Sequence, residues 1–313
     1  MNKKEFFIAL DMGGTNIKGA IFNKNLDLIF KKKIQTLSYR NSSEILKDIN
    51  LLIDECADKV IGKNPSIAGI GIVLPGYPDK NGSVSFIPGI PALSNIPIKK
   101  YLIKKINTDI IFENDGNASA YAEYMFGNNK FKNIIVLTLG TGVGSGVIID
   151  GKILKGKNKI SGELGHITLN ENGPKCLCGK RGCLESYFSA YGMNIYVKRI
   201  IKKNYSSLNN YNINDINPLI IATEAKKGDK IAKYIYEYSG KWLGLGISIF
   251  INIFNPEKII LAGGIAKDFE LFKETMINEI KKNIHIQYSN NINIGVSKYC
   301  NDLGLYGALS LFF

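Results

Sequence analysis

The stretch "EFFIALDMGGTNIKGAIFN" (residues 5–23) sets two β-prone runs on either side of a Gly-Gly-Thr turn. A second stretch, "NIIVLTLGTGVGSGVIIDGKIL" (133–154), repeats the plan of apolar strand, glycine-rich turn and strand. This internal echo predicts two similar α/β lobes facing each other across a cleft. Around the first copy, "LDLIFKKKIQT" (26–36) reads as a third strand, followed by an amphipathic helix from about Ser43 to Ile61. "SIAGIGIVLPG" (66–76) is an apolar run stopped by Pro75 and Gly76, as expected of a buried strand. A loop-rich segment runs to Pro97, a short helix covers Ile98 to Lys105, and the strand "TDIIFEN" (108–114) leads into a helix from Gly116 to Met125.

Around the second copy the pattern predicts a long helix over Asp229 to Asn252, whose "WLGLGISIFINIF" portion is apolar enough to be buried. The strand "EKIILAGGI" (257–265), a helix, a short strand near "INIGVSK" (292–298) and a helix from Leu303 to Phe312 close the chain. The expected division is a small lobe of residues 1–120 with 300–313 and a large lobe of residues 121–299, the boundary falling near Tyr121 to Asn133.

A chain of 313 residues exceeds the size at which single cores stop growing, which agrees with two lobes. Hydrophobic residues at 45% and charged residues at 21% match a soluble globular protein. "EFFIAL" is too short to span a bilayer and nothing at the start resembles a signal peptide, so no membrane partner and a cytoplasmic location are expected. The formal charge of +13 raises the question of nucleic acid. Only Arg40, Arg181 and Arg199 are arginines, and the lysines are spread from Lys3 to Lys298, whereas base readout leans on Arg. The expectation is a solvated basic surface with some attraction for anionic substrates, and no nucleic-acid partner.

In "LDMGGTNIKGA", a strand ending in Asp11 meets Gly13, Gly14 and Thr15, whose backbone N–H groups stand unobstructed and suit a phosphate. Asp11 is placed to hold a hydrated Mg²⁺. Taken alone, such a motif reads first as a plain hairpin whose glycines supply positive φ. The second loop, with Gly140, Thr141, Gly142 and Gly144, changes the balance, because two Gly-Thr turns in related half-units can grip a polyphosphate from opposite sides. A dinucleotide fold would follow its glycine loop with a helix, but here "VIIDGKIL" continues as strand, which disfavours NAD. Gly263 and Gly264 in "LAGGI" form a third close-approach site, suited to a flat adenine.

"FENDGNASAYAE" supplies an acid: Asp115 lies between a strand and a helix N-terminus, where a carboxylate can orient an accepting hydroxyl. The competing reading is that Asn114 or Asp115 simply caps the helix.

His166, Cys176, Cys178 and Cys183 have the spacing H-x9-C-x-C-x4-C, a complete Cys₃His set with turn residues between its members. Four protein ligands of this softness suit a structural Zn²⁺ with no open position. A redox Cys-x-Cys pair and three unmetallated core cysteines are the alternatives. Glu163 and Glu185 flank the set, and a pinned loop would fix both carboxylates beside an imidazole, a good acceptor array for sugar hydroxyls.

Together these segments resemble the ROK family of repressors, uncharacterised reading frames and sugar kinases, within the actin-like (ribonuclease H-like) ATPase fold. "DMGGTNIKGAIF", "ENDGNASA", "LTLGTGVGSGVIIDGKIL", "GELGH", "CLCGKRGCLES" and "LAGGI" occur in the family's order. The resemblance implies ATP- and Mg²⁺-dependent phosphorylation of a hexose or N-acetylhexosamine, usually on the terminal hydroxyl, by a protein that commonly forms a homodimer. It implies Asp115 as catalytic base, Asn114 as a sugar contact, and Glu163, His166 and Glu185 as sugar-binding residues, His166 serving zinc through one ring nitrogen and sugar through the other. Gly76 matches the family's loop under the sugar. "ENDGNA" departs from the "ENDANA" of many glucokinase-like members towards N-acetylmannosamine kinase-like ones, and "FIPGIPALSNIPI" (86–98) matches no substrate-specific loop, which leaves the sugar open. A family repressor would carry a helix-turn-helix ahead of the first strand, for which the four residues before "EFFIAL" leave no room.

Overall fold

In the computed structural model, which describes residues 4–60, 65–87, 89–102, 108–127, 131–288, 293–300 and 302–313, side-chain alternation along β1 (Lys4–Met12) organises the first of two units. That unit comprises Met1–Asn129, Gly156–Ile160 and Asp302–Phe313. Phe6, Ile8, Leu10 and Met12 enter one core, with Ile45, Ile49, Leu52 and Ile53 of α1 (Ser42–Asp58). Phe7 and Ala9 point the other way, to Leu305, Ala308 and Leu309 of the closing helix α8 (Leu303–Ser310). The two-residue period therefore builds a sheet covered on both faces.

The sheet runs β3 (Leu28–Gln35), β2 (Asn16–Asn23), β1, β4 (Pro65–Leu74), β5 (Asp109–Asn114). The first two pairings are antiparallel and the last two parallel. α1 starts at a capping box: the Asn41 side chain accepts from Glu44 N–H at 3.0 Å and Glu44 Oε2 accepts from Asn41 N–H at 3.2 Å. It ends at Asp58, and the expected end at Ile61 lies outside the described residues. α8 lies directly on β4, because a Cβ at Gly71 would run into the Ala308 carbonyl and one at Gly69 into the Phe312 ring. The helix α2 (Ile98–Tyr101) is shorter than expected: Leu102 already has extended backbone, and 103–107 are outside the described residues. α3 (Asp115–Phe126) begins one residue before the expected start, with Asn114 as its cap.

The second unit, Lys130–Lys155 with Ser161–Asn301, repeats the first sheet's topology. Its order is β10 (Ile294–Val296), β9 (Lys258–Ala262), β6 (Ile134–Leu139), β7 (Val143–Ile149), β8 (Lys152–Ile153). Again the hairpin strands pair antiparallel and the later ones parallel. β6 is the central strand and is buried along most of its length, as its unbroken apolar run requires. Its core is completed by α4 (Ala190–Ile200), α5 (Pro218–Lys226), α6 (Lys230–Phe254) and α7 (Lys273–Asn283). α6 stops where Asn255 turns left-handed at φ 42°, ahead of Pro256. No helix among the described residues is long and apolar enough to cross a membrane.

Asp229 starts α6 and joins it to a neighbouring turn: its carboxylate accepts from Ala232 N–H (2.8 Å), Ser207 N–H (2.6 Å), Ser206 Oγ (2.8 Å) and Ser207 Oγ (2.8 Å). Burial opposes ionisation there, but these donors outweigh it and hold the carboxyl below its usual range. Asp229→Ala should destabilise by about 1–2 kcal/mol at neutral pH. Because the folded-state pKa is depressed, the stabilisation is complete above the ordinary aspartate value of ~3.9 and is lost as pH falls through the folded value. Denaturant titrations of both proteins across that range should show their difference narrowing as acid is added.

Candidate functional site

Residues 162–186 form short 3-10 turns at Leu164–His166 and Leu184–Ser186 and two isolated antiparallel bridges, Thr168 with Cys183 and Lys175 with Arg181. Cys176 N–H donates to the Lys180 carbonyl at 2.8 Å and Gly179 N–H to the Cys176 carbonyl at 3.0 Å, which folds "CLCGK" into a knuckle. Lys180 Nζ closes it against the His166 carbonyl at 3.0 Å. The ligand atoms of His166, Cys176, Cys178 and Cys183 all lie within 4.8 Å of one another. His166 Nδ1 is 3.7 Å from Cys176 Sγ, and Cys178 Sγ is 3.7 Å from Cys183 Sγ. A tetrahedron with bonds of ~2.3 Å has edges of about 3.8 Å, so the donor set fits zinc in both type and spacing.

Burial pushes the Cys176 and Cys183 thiols up. Burial acts the same way on exposed Cys178, but the Lys180 N–H and the neighbouring sulfurs outweigh it and bring that thiol down. A metal that takes thiolates must displace these protons, so its binding weakens in acid.

The knuckle is tied to both flanking carboxylates. With Nδ1 turned to Cys176, His166 directs Nε2 to Glu163 Oε2 at 3.9 Å, while Cys176 Sγ lies 3.6 Å from Glu185 Oε1. Glu185 is 8% exposed, and its Oε2 accepts from Val143 N–H at 3.0 Å. Val143 opens β7 immediately after the Gly140-Thr141-Gly142 turn, in which Gly140 N–H bonds the Gly142 carbonyl at 3.0 Å. A Cβ at Gly142 would overlap Glu185 Oε2. Gly144 pairs with Thr138 across the hairpin. Gly263, at φ 88°, lies against the end of β6, where a Cβ would meet the Leu139 carbonyl; Gly264 faces open space. The C-terminal ends of β6 and β9 therefore carry both glycine turns of this unit side by side.

Sequence reasoning missed Ser145. Its hydroxyl donates to the Gly162 carbonyl and accepts from Leu164 N–H at 3.0 Å, fixing the entry to "GELGH" on β7. Two positions after Val143 on the same strand, it shares that residue's face, and this period-2 relation was the available signal.

In the first unit, Asn114 ends β5 and caps α3, accepting from Asn117 N–H at 3.0 Å. The capping reading is therefore correct for Asn114, and the same side chain does more. Its Nδ2 donates to the Gly76 carbonyl at 3.0 Å and to Asp115 Oδ1 at 3.1 Å, and that Oδ1 also accepts from Gly116 N–H at 2.9 Å. Asp115, the first residue of α3, is thus oriented by two donors on one oxygen. Gly76 takes φ 88°, a left-handed conformation that keeps its carbonyl on Asn114.

The first glycine turn is closed by Gly13 N–H to the Asn16 carbonyl at 2.9 Å and braced by Thr36, whose hydroxyl donates to the Gly13 carbonyl at 2.6 Å and whose N–H donates to the Thr15 carbonyl at 3.0 Å. Gly14 meets Gly89 of the 75–97 loop backbone to backbone, a Cβ on Gly14 standing 3.0 Å from Gly89 Cα. Asp11, just before the turn, pairs with Lys18 Nζ at 3.0 Å and lies against Gly304 at the start of α8. Thr36, Lys18 and Gly89 were not singled out in the sequence; Thr36 directly follows β3 and Gly89 comes from a loop, whereas Lys18 lies within the quoted hairpin, directly across from Asp11.

Gly142→Ala should cost about 1–3 kcal/mol, because the added methyl must displace a buried carboxylate from its backbone donor. Chemical denaturation reads this directly. An unchanged midpoint would mean that Glu185 is not held against the turn.

The sequence model of the ROK family matches residues 7–313. A glucokinase of Thermotoga maritima is 32% identical over 311 residues, covering 97% of this chain and 96% of its own length. A xylose repressor of Caldicellulosiruptor bescii is 29% identical, covering 97% of this chain and 77% of its own length. Among solved structures, a ROK family glucokinase from Streptomyces griseus in complex with glucose and AMPPNP superposes with a TM-score of 0.83 at 26% identity, covering 98% of both chains. The two α/β lobes expected from the paired hairpins, and the actin-like ATPase fold that the family resemblance implied, are the fold of these neighbours. With the paired hairpins, the cysteine knuckle and these matches in agreement, the chain belongs to the ROK family.

Proposed function

We propose that this protein is an ATP-dependent sugar kinase that phosphorylates a hexose on its terminal hydroxyl, as a glucokinase does. The observation that carries the reading is Asp115, whose Oδ1 is fixed by Gly116 N–H and Asn114 Nδ2 at the head of α3. A carboxylate held in one orientation, at a helix N-terminus that favours its charge, suits a general base that accepts the sugar hydroxyl's proton as phosphoryl transfer proceeds. Asn114 shares its amide between Asp115 and Gly76 and would contact the sugar from that frame. Glu163, His166 and Glu185 would receive other sugar hydroxyls; His166, with Nδ1 turned to the sulfurs, offers Nε2.

The backbone N–H groups around Gly13, Gly14 and Thr15, and around Gly140, Thr141, Gly142 and Gly144, would cradle the phosphates of ATP, with Gly263 and Gly264 beside the adenine. Asp11 would hold Mg²⁺, which when bound offsets phosphate charge; the carboxylate is at hand but must share Lys18. His166, Cys176, Cys178 and Cys183 would hold zinc in a closed structural role. The similarity to a Thermotoga glucokinase, and the glucose and AMPPNP bound by the Streptomyces neighbour, support sugar and ATP. The reading includes a cytoplasmic homodimer.

An N-acetylhexosamine such as N-acetylmannosamine is the alternative substrate, favoured by Gly116 in "ENDGNA". The xylose repressors among the relatives favour a second reading, a sugar-responsive regulator. Tight, sequence-dependent DNA binding at physiological salt, with no ADP formed on any sugar, would select the regulator.

A coupled ADP assay across glucose, N-acetylglucosamine, N-acetylmannosamine, allose and fructose tests the kinase, and glucose should give the highest kcat/KM. Asp115→Asn should lower kcat by about a hundredfold or more with folding and zinc content retained; full turnover in that variant would remove Asp115 from the chemistry. Cys183→Ser should lose the zinc measured by elemental analysis and raise the sugar KM more than it changes the KM for ATP, since the knuckle orders the sugar-facing side chains.

A further inference from the structure

Behind the knuckle the second unit contains a cavity of about 380 Å³ that no step of the proposed chemistry uses. Two of the chain's three arginines, Arg181 of the knuckle and Arg199 at the end of α4, line it, together with its one tryptophan, Trp242. Its remaining aromatic wall consists of Tyr187, Tyr196 and Tyr238. These rings are locked: Tyr187 stacks on Trp242 at 3.9 Å, Tyr196 stacks on Tyr238 at 3.8 Å, and Tyr238 meets Trp242 edge-on. A rigid aromatic wall contributes apolar area without further loss of side-chain freedom when a ligand arrives.

The polar part of the cavity is unbalanced. Among the described residues neither Arg181 nor Arg199 forms an ion pair, and Arg181 makes one hydrogen bond, from Nη1 to the Gly173 carbonyl at 3.3 Å. The planar fork of a guanidinium suits two oxygens of a phosphate, and aromatic faces suit the C–H faces of a sugar ring. The size falls within the range of small-molecule sites.

We propose that this cavity is a second ligand site, for a monosaccharide phosphate, with the phosphate on Arg181 and Arg199 and the sugar ring against the aromatic wall. The preference for a sugar body rests on the proposed kinase reading; the anion site itself does not. Occupancy would be felt at the sugar-facing residues, because Tyr187 follows Glu185 by two positions and Arg181 lies between Cys178 and Cys183. The product of the proposed reaction could thereby act on the loop that reads its substrate.

Trp242 makes the site readable without turnover, since it is the only tryptophan and lies in the cavity wall. The full-length protein, without nucleotide, is titrated with glucose 6-phosphate, inorganic phosphate and glucose while tryptophan emission is recorded. The expected result is a saturable change with the sugar phosphate, with apparent affinity reduced about tenfold or more in Arg181→Ala and in Arg199→Ala. Arg199 is exposed at the end of α4, so Arg199→Ala should melt as the parent does and is the deciding variant; Arg181→Ala also loses a hydrogen bond to the Gly173 carbonyl, so its melting temperature and zinc content are measured beside its affinity. The proposal is overturned by a flat signal, by a response that survives both substitutions, or by inorganic phosphate or glucose alone reproducing the whole effect through the same arginines. A protein that shows the arginine-dependent response but makes no ADP would keep the site and lose the kinase.

Discussion

A single buried carboxylate, Glu185, joins the parts of the second unit. One oxygen takes the Val143 N–H at the mouth of the β6–β7 turn and the other meets Cys176 of the knuckle, so the glycine turn and the cysteine loop cannot move independently. A buried charged group left without donors would be costly, which makes the backbone N–H of Val143 as necessary as the acid itself. The absence of a side chain at Gly142 is what allows the carboxylate to come so close. The strands below are ordinary; their value is that they hold this turn rigid.

The knuckle supplies what hydrophobic burial cannot. Residues 162–186 contain only short turns and isolated bridges, with glycines and exposed polar residues through the middle. Such a segment has little apolar area with which to offset its conformational entropy. A closed tetrahedral metal site would fix it with four bonds, and the spacing of the sulfurs and the imidazole already matches that geometry. Its folding and its presentation of Glu163, His166 and Glu185 are then one event.

The first unit solves a related problem with hydrogen bonds alone. Asn114 ends a strand, and its one amide side chain caps a helix, holds the Gly76 loop and orients Asp115. This is why the helix-cap reading and the chemical reading of "END" are not rivals. The cap fixes the backbone that places the acid, and the spare N–H₂ of the same group fixes the acid's rotamer. Gly14 against Gly89 joins the first turn to the same loop that Gly76 begins.

The amino-acid sequence by itself determined the strands, the twofold recurrence of hairpin and parallel strands, the long buried helix and the Cys₃His set, because each is written in local periodicity, turn residues or close spacing. Helix ends were less legible: α2 stops at Tyr101 where the pattern ran on, and Asp115 belongs inside α3 because Asn114 beside it caps. Only the tertiary structure decided which nitrogen of His166 faces the sulfurs, that Glu185 rests on Val143, that Ser145 pins Gly162, and that Arg181, Arg199 and Trp242 share a cavity. Those relations join residues tens of positions apart through contacts between folded elements, and a one-dimensional pattern holds no record of which side chains the fold will bring within reach.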